Sequence, residues 1–169
     1  MQELPIQPYW NICRRVYLVW AIIVFIGFIA THFYQLPGIN YLWLVLSLIG
    51  LGVMGFLLKQ MHFQELKLLY IGLLWLLTVA FGLTISAIAF VYEPLAEMSA
   101  YLGIFWLFLM GLAHILNKIV DPSRAYLISG GLQILTGTIC FIFEPLQTMQ
   151  YIAAGVVGAL AMVWLILFR

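Results

Sequence analysis

Residues 68–91 read LLYIGLLWLLTVAFGLTISAIAFV, a run of 24 residues without a charged side chain. As an α-helix this run is about 36 Å long, which exceeds the ~30 Å hydrocarbon core of a bilayer. The whole chain is 66% hydrophobic and 8% charged, whereas soluble domains carry about 25% charged residues. Comparable apolar runs cover residues 16–34, 39–58, 99–116, 125–143 and 149–168. The sequence therefore predicts an all-α integral membrane protein, with a six-helix transmembrane domain at 16–169 after a short polar arm at 1–15.

The seven basic residues all fall on one side of the six predicted spans. They occupy the segment before span one, the loops after spans two and four, and the end of the chain: Arg14, Arg15, Lys59, Lys67, Lys118, Arg124 and Arg169. The loops after spans one, three and five contain no Lys or Arg. Because loops rich in Lys and Arg stay in the cytoplasm, this distribution predicts that both termini are cytoplasmic.

A short sequence occurs twice in the chain. Residues 88–98 read IAFVYEPLAEM and residues 139–149 read ICFIFEPLQTM, with six of eleven positions identical. Proline does not continue a helix, so Glu93-Pro94 and Glu144-Pro145 are predicted to end spans three and five at the outer face. Each copy then belongs to a helical hairpin, and residues 33–37 hold the turn of a degenerate first hairpin. The sequence predicts three parallel repeats, unlike the inverted repeats of many transporters.

Small residues at helical spacing indicate where helices pack closely in lipid. Span two contains Gly50, Gly52 and Gly55, and span six contains Ala154 and Gly158. The sequence leaves open whether these faces pack within one bundle or between protomers.

Two polar side chains within the spans are candidates for a functional role, since such residues are costly in a membrane. His114 lies about one turn inside the cytoplasmic end of span four. Its side chain either reaches the membrane interface or forms a hydrogen bond to a neighbouring helix, or it acts as a proton relay. Gln133 in span five either bonds another helix or contacts a substrate. The sequence holds no recognisable catalytic motif or metal-ligand spacing, so we expect no enzyme activity, metal or cofactor.

The predicted outer face carries Glu93, Glu97, Glu144 and His32 without a Lys or Arg counter-charge. Free carboxyl groups titrate near pH ~4 and free imidazole near pH ~6.5. Two interpretations stay open. The residues either reflect ordinary charge segregation and turn chemistry, or they form an outer surface that responds to external acid.

The arrangement resembles the HdeD family of small bacterial inner-membrane proteins associated with acid resistance. The resemblance rests on six spans in three hairpins, on both termini lying inside, and on a proline after each outgoing helix. The residues that carry it are Gly82, Ser86, Pro94, Gly103 and Gly111 in the second hairpin and Gly137, Pro145, Gly155 and Gly158 in the third. The first hairpin departs from the pattern, because Pro37 follows a longer loop start and precedes Gly38.

The resemblance implies a non-enzymatic protein of the bacterial inner membrane that contributes to acid or envelope stress tolerance. Its expected partners are the lipid bilayer and either further copies of itself or another membrane protein, and not nucleic acid. Two alternatives stay open: a proton or small-solute channel or transporter, and an accessory subunit of a larger membrane complex. A channel would need a polar stripe facing one lumen, for which the candidates are Thr84, Ser86, Gln133, Thr136 and Thr138.

Overall fold

The computed structural model describes residues 6–34, 38–59 and 66–168, in which all regular elements are helical. In chain order these are α1 Ile6–Phe33, α2 Ile39–Lys59, α3 Leu66–Val91, a 3₁₀ helix Glu93–Tyr101, α4 Leu102–Asn117, α5 Arg124–Ile142, α6 Glu144–Gln147 and α7 Gln150–Phe168. Six described helices are long and apolar enough to cross a membrane, α4 with the help of residues 97–101. The predicted class, an all-α membrane protein with six spans, is confirmed.

The helix bounds follow the predicted spans except at two places. α1 begins at Ile6, so residues 6–15 of the predicted arm continue the first helix, while residues 1–5 lie outside the described residues. Pro8 falls in the first turn, where a backbone N–H has no helical acceptor and proline is tolerated. The second difference is span four, since α4 begins at Leu102 and the residues before it form the 3₁₀ helix.

The residues that precede the two Glu-Pro-Leu segments have the same backbone conformation. Tyr92 has φ −95° and ψ 103°, and Phe143 at the matching position has φ −100° and ψ 101°. The N–H of Tyr92 donates to the carbonyl of Ile88 at 2.8 Å, and that of Phe143 donates to Ile139 at 3.0 Å. Each outgoing helix therefore ends before the Glu-Pro pair, and the proline stands in the first turn of a short following helix.

Successive long helices run in alternating directions. The hydroxyl of Tyr17, in the first half of α1, lies 3.0 Å from that of Tyr126 at the start of α5. Near the other end of α1, Phe28 packs against Gly155 at the start of α7. We call the end of the bundle where α1 and α5 begin the basic end, and the end that holds the 3₁₀ helix and α6 the turn end. Which end faces the cytoplasm stays a prediction.

The core is formed by α1, α4, α5 and α7, with α2 packed on α1 and α3 packed on α4. Half of the spanning residues of α4 are buried, against 17% in α2 and 22% in α3. The helices α4 and α5 approach each other closely, since a Cβ on Gly130 would lie 2.5 Å from the Gly111 carbonyl oxygen. Glycine at both positions therefore lets these two backbones touch, while α2 and α3 scarcely meet each other.

Candidate functional site

A fully buried polar pair joins α4 to α5 in the basic half of the bundle. His114 Nδ1 lies 2.7 Å from Gln133 Nε2, and neither side chain is exposed. The same amide nitrogen is 3.4 Å from the carbonyl oxygen of Ser129. The pair can form because the Gly111–Gly130 contact holds the two helices at close range beside it. The structure thus brings together the two polar span residues that the sequence singled out.

Several polar atoms of this region have no hydrogen-bond partner among the described residues. They are His114 Nε2, Gln133 Oε1 and both polar atoms of the Asn117 side chain, which is also fully buried. Leaving a buried donor or acceptor without a partner costs about 1–3 kcal/mol, and native proteins usually match such groups with protein or ordered water. This cluster is therefore the most polar part of the bundle interior.

Trp75 on α3 lies against this cluster. Its ring centroid is 5.0 Å from that of His114, at an interplanar angle of 70°. The same tryptophan also lines two apolar cavities, one mainly between α1 and α3 and the other bordered by α1, α2, α3, α4 and α7. Trp75 consequently lies between the buried polar pair and these cavities.

Two tryptophans at the turn end are fixed by matching arrangements in the first and second hairpins. Thr31 donates to the carbonyl of Gly27 at 2.7 Å and accepts from Trp43 Nε1 at 2.9 Å. A Cβ on Gly27 would lie only 2.6 Å from the Trp43 ring. In each hairpin a glycine makes room for the ring, and a hydroxyl one turn later accepts the indole N–H.

The second hairpin repeats this geometry with Gly82, Ser86 and Trp106. Ser86 donates to the carbonyl of Gly82 at 2.8 Å and accepts from Trp106 Nε1 at 3.0 Å. The two indole rings then stack on each other, with centroids 6.1 Å apart and an interplanar angle of 7°. Phe28 packs edge-on against Trp43. The tryptophans form one rigid aromatic floor, because each is held by its own hydrogen bond and by the stack.

This aromatic floor underlies a cleft between α2 and α3, which we call the α2–α3 cleft. Its turn-end chamber has a volume of about 250 Å³ and is lined by Trp43, Trp106, Leu44, Leu83, Ala87 and Phe90, with Asn40 and Tyr41 at its mouth. Two further apolar cavities lie nearer the basic end, and both are lined by Trp20, Trp75 and Met162. The lining of the turn-end chamber is almost entirely apolar, so the cleft suits an apolar occupant.

The four residues of the predicted outer surface belong to elements at the turn end, and no hydrogen bond or ion pair joins the described side chains of Glu97, Glu144 and His32. Glu97 and Glu144 are exposed, and Glu93 begins the 3₁₀ helix, its side chain lying outside the described groups. His32 stacks edge-on against Phe33 with ring centroids 5.0 Å apart. Within the described residues, its Nδ1 has no hydrogen-bond partner. No three His, Cys, Asp or Glu side chains gather there or elsewhere in the described residues as metal ligands.

The residues of the predicted polar stripe do not face one lumen. Thr84, Thr136 and Thr138 each donate a hydrogen bond to a carbonyl of their own helix, and Thr84 is exposed. Ser86 is bonded to Trp106, whereas Gln133 is bonded to His114 on the other side of α4. These side chains serve separate contacts rather than one polar path.

The sequence analysis missed Gln150, which connects the second and third hairpins. Its Oε1 accepts from the backbone N–H groups of Gly103 at 2.9 Å and Ile104 at 3.2 Å, and its Nε2 donates to the carbonyl of Ala100. A side chain of α7 therefore caps the start of α4. Its position at the edge of an apolar run was the only available signal.

Fold and site together define the class of this protein as a six-span helical membrane protein with an interior polar pair and a lateral apolar cleft. Comparisons with protein-family models, with curated proteins and with solved structures give no match.

Proposed function

We propose that the chain is a non-enzymatic protein of the bacterial inner membrane, similar to HdeD, with both termini in the cytoplasm. It contributes to acid or envelope stress tolerance by assembling with itself or with a partner membrane protein. This proposal combines the resemblance with the surface that the bundle leaves available within the bilayer.

The observation that carries the proposal is a small-residue face on α2. A Cβ on Gly52 or Gly55 would meet no described atom within 4 Å, whereas one on Gly50 would lie 2.8 Å from Ile23. Gly50 therefore faces α1 inside the bundle, whereas Gly52 and Gly55 lie on the outer surface of α2. Since glycines let helices approach closely in lipid, this face fits a helix of another copy or of a partner.

The acid part of the proposal is supported by the exposed carboxylates at the turn end. Glu97 and Glu144 are both exposed on the described surface, and the basic residues lie at the opposite end of the spans. Protonation from the outside would remove negative charge from this surface without affecting the basic end. Such a change would favour contacts between neighbouring turn ends, because it relieves repulsion between like charges.

The test is complementation of a deletion strain under acid challenge, together with cross-linking in the membrane. Wild-type protein should restore survival and give a cross-linked assembly, and the double variant Gly52→Leu, Gly55→Leu should lose both. Gly131→Leu is the matched control, since a Cβ there also meets no described atom within 4 Å but the residue lies on α5.

Glu93→Gln combined with Glu144→Gln should retain assembly and lose its dependence on acid. An acid-tolerant deletion strain would contradict the proposal.

A proton or small-solute channel is the second candidate, favoured by the buried polar atoms around His114 and Gln133. It predicts flux in proteoliposomes that Gln133→Leu removes. Co-purification of one stoichiometric membrane protein would instead indicate an accessory subunit of a larger complex.

A further inference from the structure

We propose that the turn-end chamber of the α2–α3 cleft binds one acyl chain of a membrane phospholipid. The chamber opens sideways between two helices that are apolar enough to lie in the hydrocarbon core. Only molecules dissolved in the bilayer reach such an opening. The bound chain would fill the gap between the first and second hairpins, where α2 and α3 otherwise scarcely touch.

The polar groups on the floor of the chamber are already engaged, which selects an apolar occupant there. Trp43 Nε1 donates to Thr31, and Trp106 Nε1 donates to Ser86. The floor consequently presents ring surfaces rather than free donors, and Leu44, Leu83 and Phe90 complete an apolar wall. A hydrocarbon chain fits this lining, because it gains packing contacts there and needs no hydrogen bond.

The volume of the chamber suits a lipid chain. The chamber offers about 250 Å³, which is more than the ~150 Å³ cavity that takes a benzene molecule. It therefore has room for a thin apolar chain.

The mouth of the chamber matches the polar part of the same lipid. Asn40 and Tyr41 stand at the turn end of α2, and Tyr41 is 74% exposed. Tyrosine is enriched at the level of the lipid headgroups, and the asparagine amide can bond an ester or phosphate oxygen. Polarity thus decreases from the mouth to the tryptophan floor, as it does along a phospholipid from headgroup to chain.

The test is native mass spectrometry of protein reconstituted in vesicles of dioleoylphosphatidylglycerol and dioleoylphosphatidylethanolamine and then exchanged into lipid-free detergent. Wild-type protein should retain one phospholipid. Leu44→Trp and Ala87→Phe, which fill the chamber from its two walls, should lose it. Ile49→Trp is the matched control and should keep the lipid, because Ile49 is also on α2, is absent from the chamber lining and is 52% exposed, as against 51% for Leu44.

Three results would overturn the proposal. The first is a wild-type protein that retains no phospholipid, and the second is filled variants that remain folded and retain as much as wild type. The third is efficient disulfide cross-linking of two copies through Ala87→Cys on the α3 wall, in a background without Cys13 and Cys140, since that would place a second protein against the chamber. Because both filling variants change rim positions rather than the buried core, their circular dichroism spectra should match that of wild type.

Discussion

The pairing of His114 with Gln133 illustrates what a single polar residue does inside this bundle. Both side chains are fully buried, and His114 Nδ1 lies 2.7 Å from Gln133 Nε2. Side-chain hydrogen bonds in membrane proteins average about 0.6 kcal/mol, because the unfolded chain in lipid also finds partners. A pair excluded from both water and lipid should exceed that average, since truncating either member leaves the other with one partner fewer in the interior.

We predict that the two residues are energetically coupled. Gln133→Leu and His114→Leu should each destabilise the protein by about 1–3 kcal/mol, the cost of an unsatisfied buried group. The loss in free energy of unfolding of the double variant should be smaller than the sum of the two single losses by about 0.5–3 kcal/mol. The measurement is reversible unfolding in mixed micelles. Thr136→Val is the control, because its hydroxyl bonds only the carbonyl of Leu132 on its own helix. Additive losses would show that the pair does not act as a unit.

At this scale the sequence singled out both members of the pair as polar residues within the spans, but it did not predict the contact between them. His114 and Gln133 were identifiable because polar side chains in apolar spans are rare and costly. Their contact was not, since it depends on the backbone approach at Gly111 and Gly130, and a single sequence does not specify how two helices rotate against each other. The tryptophan–hydroxyl bonds of the first two hairpins escaped prediction for the same reason.

Among the elements, the start of α4 depends most on a neighbouring helix. The 3₁₀ helix leads into α4 at Leu102, and no side chain of its own caps the new helix. The first N–H groups of a helix lack internal acceptors, and Gln150 of α7 accepts two of them. Tyr151 adds a hydrogen bond from its hydroxyl to the Ser99 carbonyl at 2.8 Å. Two side chains of α7, in the third hairpin, therefore stabilise the turn of the second hairpin.

We predict that Gln150→Leu loosens the start of α4 without unfolding the bundle. Loss of the cap should cost about 1 kcal/mol, as at other helix N-termini, and should speed amide hydrogen exchange at Gly103 and Ile104. Exchange measured by mass spectrometry in nanodiscs gives the readout. Gln147→Leu is the same substitution in the preceding turn, where the amide only donates to the Phe141 carbonyl, and it should leave both amides protected. Equal protection in the two variants would argue against the cap.

The spans themselves were predictable because length and apolarity define them. Four predicted spans start within two residues of α2, α3, α5 and α7, and the predicted fourth span starts three residues before α4. The exception is α1. The polar residues before position 16 resemble an interfacial arm, yet no residue from Asn11 to Arg15 breaks a helix, so the helix extends to Ile6. At the turns, the Glu-Pro pairs correctly predicted where each outgoing helix ends. They did not predict that the 3₁₀ helix of the second hairpin has nine residues and α6 only four.

For the whole molecule, the central fact is the unequal use of its six spans. α1, α4, α5 and α7 form a continuous core, whereas α2 and α3 each pack mainly on one helix and leave a cleft between them. The resulting apolar surface faces sideways, where we propose that a lipid chain binds and a partner helix docks. The carboxylates, in contrast, stand at the turn end, so lateral contacts and acid exposure concern different surfaces of the protein.

The orientation of this bundle is the last prediction, and it decides which compartment the carboxylates meet. Because Lys and Arg near the span ends are retained in the cytoplasm, the basic end should face inwards. In a background with Cys13→Ser and Cys140→Ala, a membrane-impermeant maleimide added to intact spheroplasts should label Leu146→Cys in α6 at the turn end. It should label Ile119→Cys, beyond α4 at the basic end, only after the membrane is permeabilised. Both native residues are exposed, at 41% and 73%, so accessibility within the protein limits neither reaction. The reverse labelling would place Glu97 and Glu144 in the cytoplasm, and a role in sensing external acid would then have no physical basis.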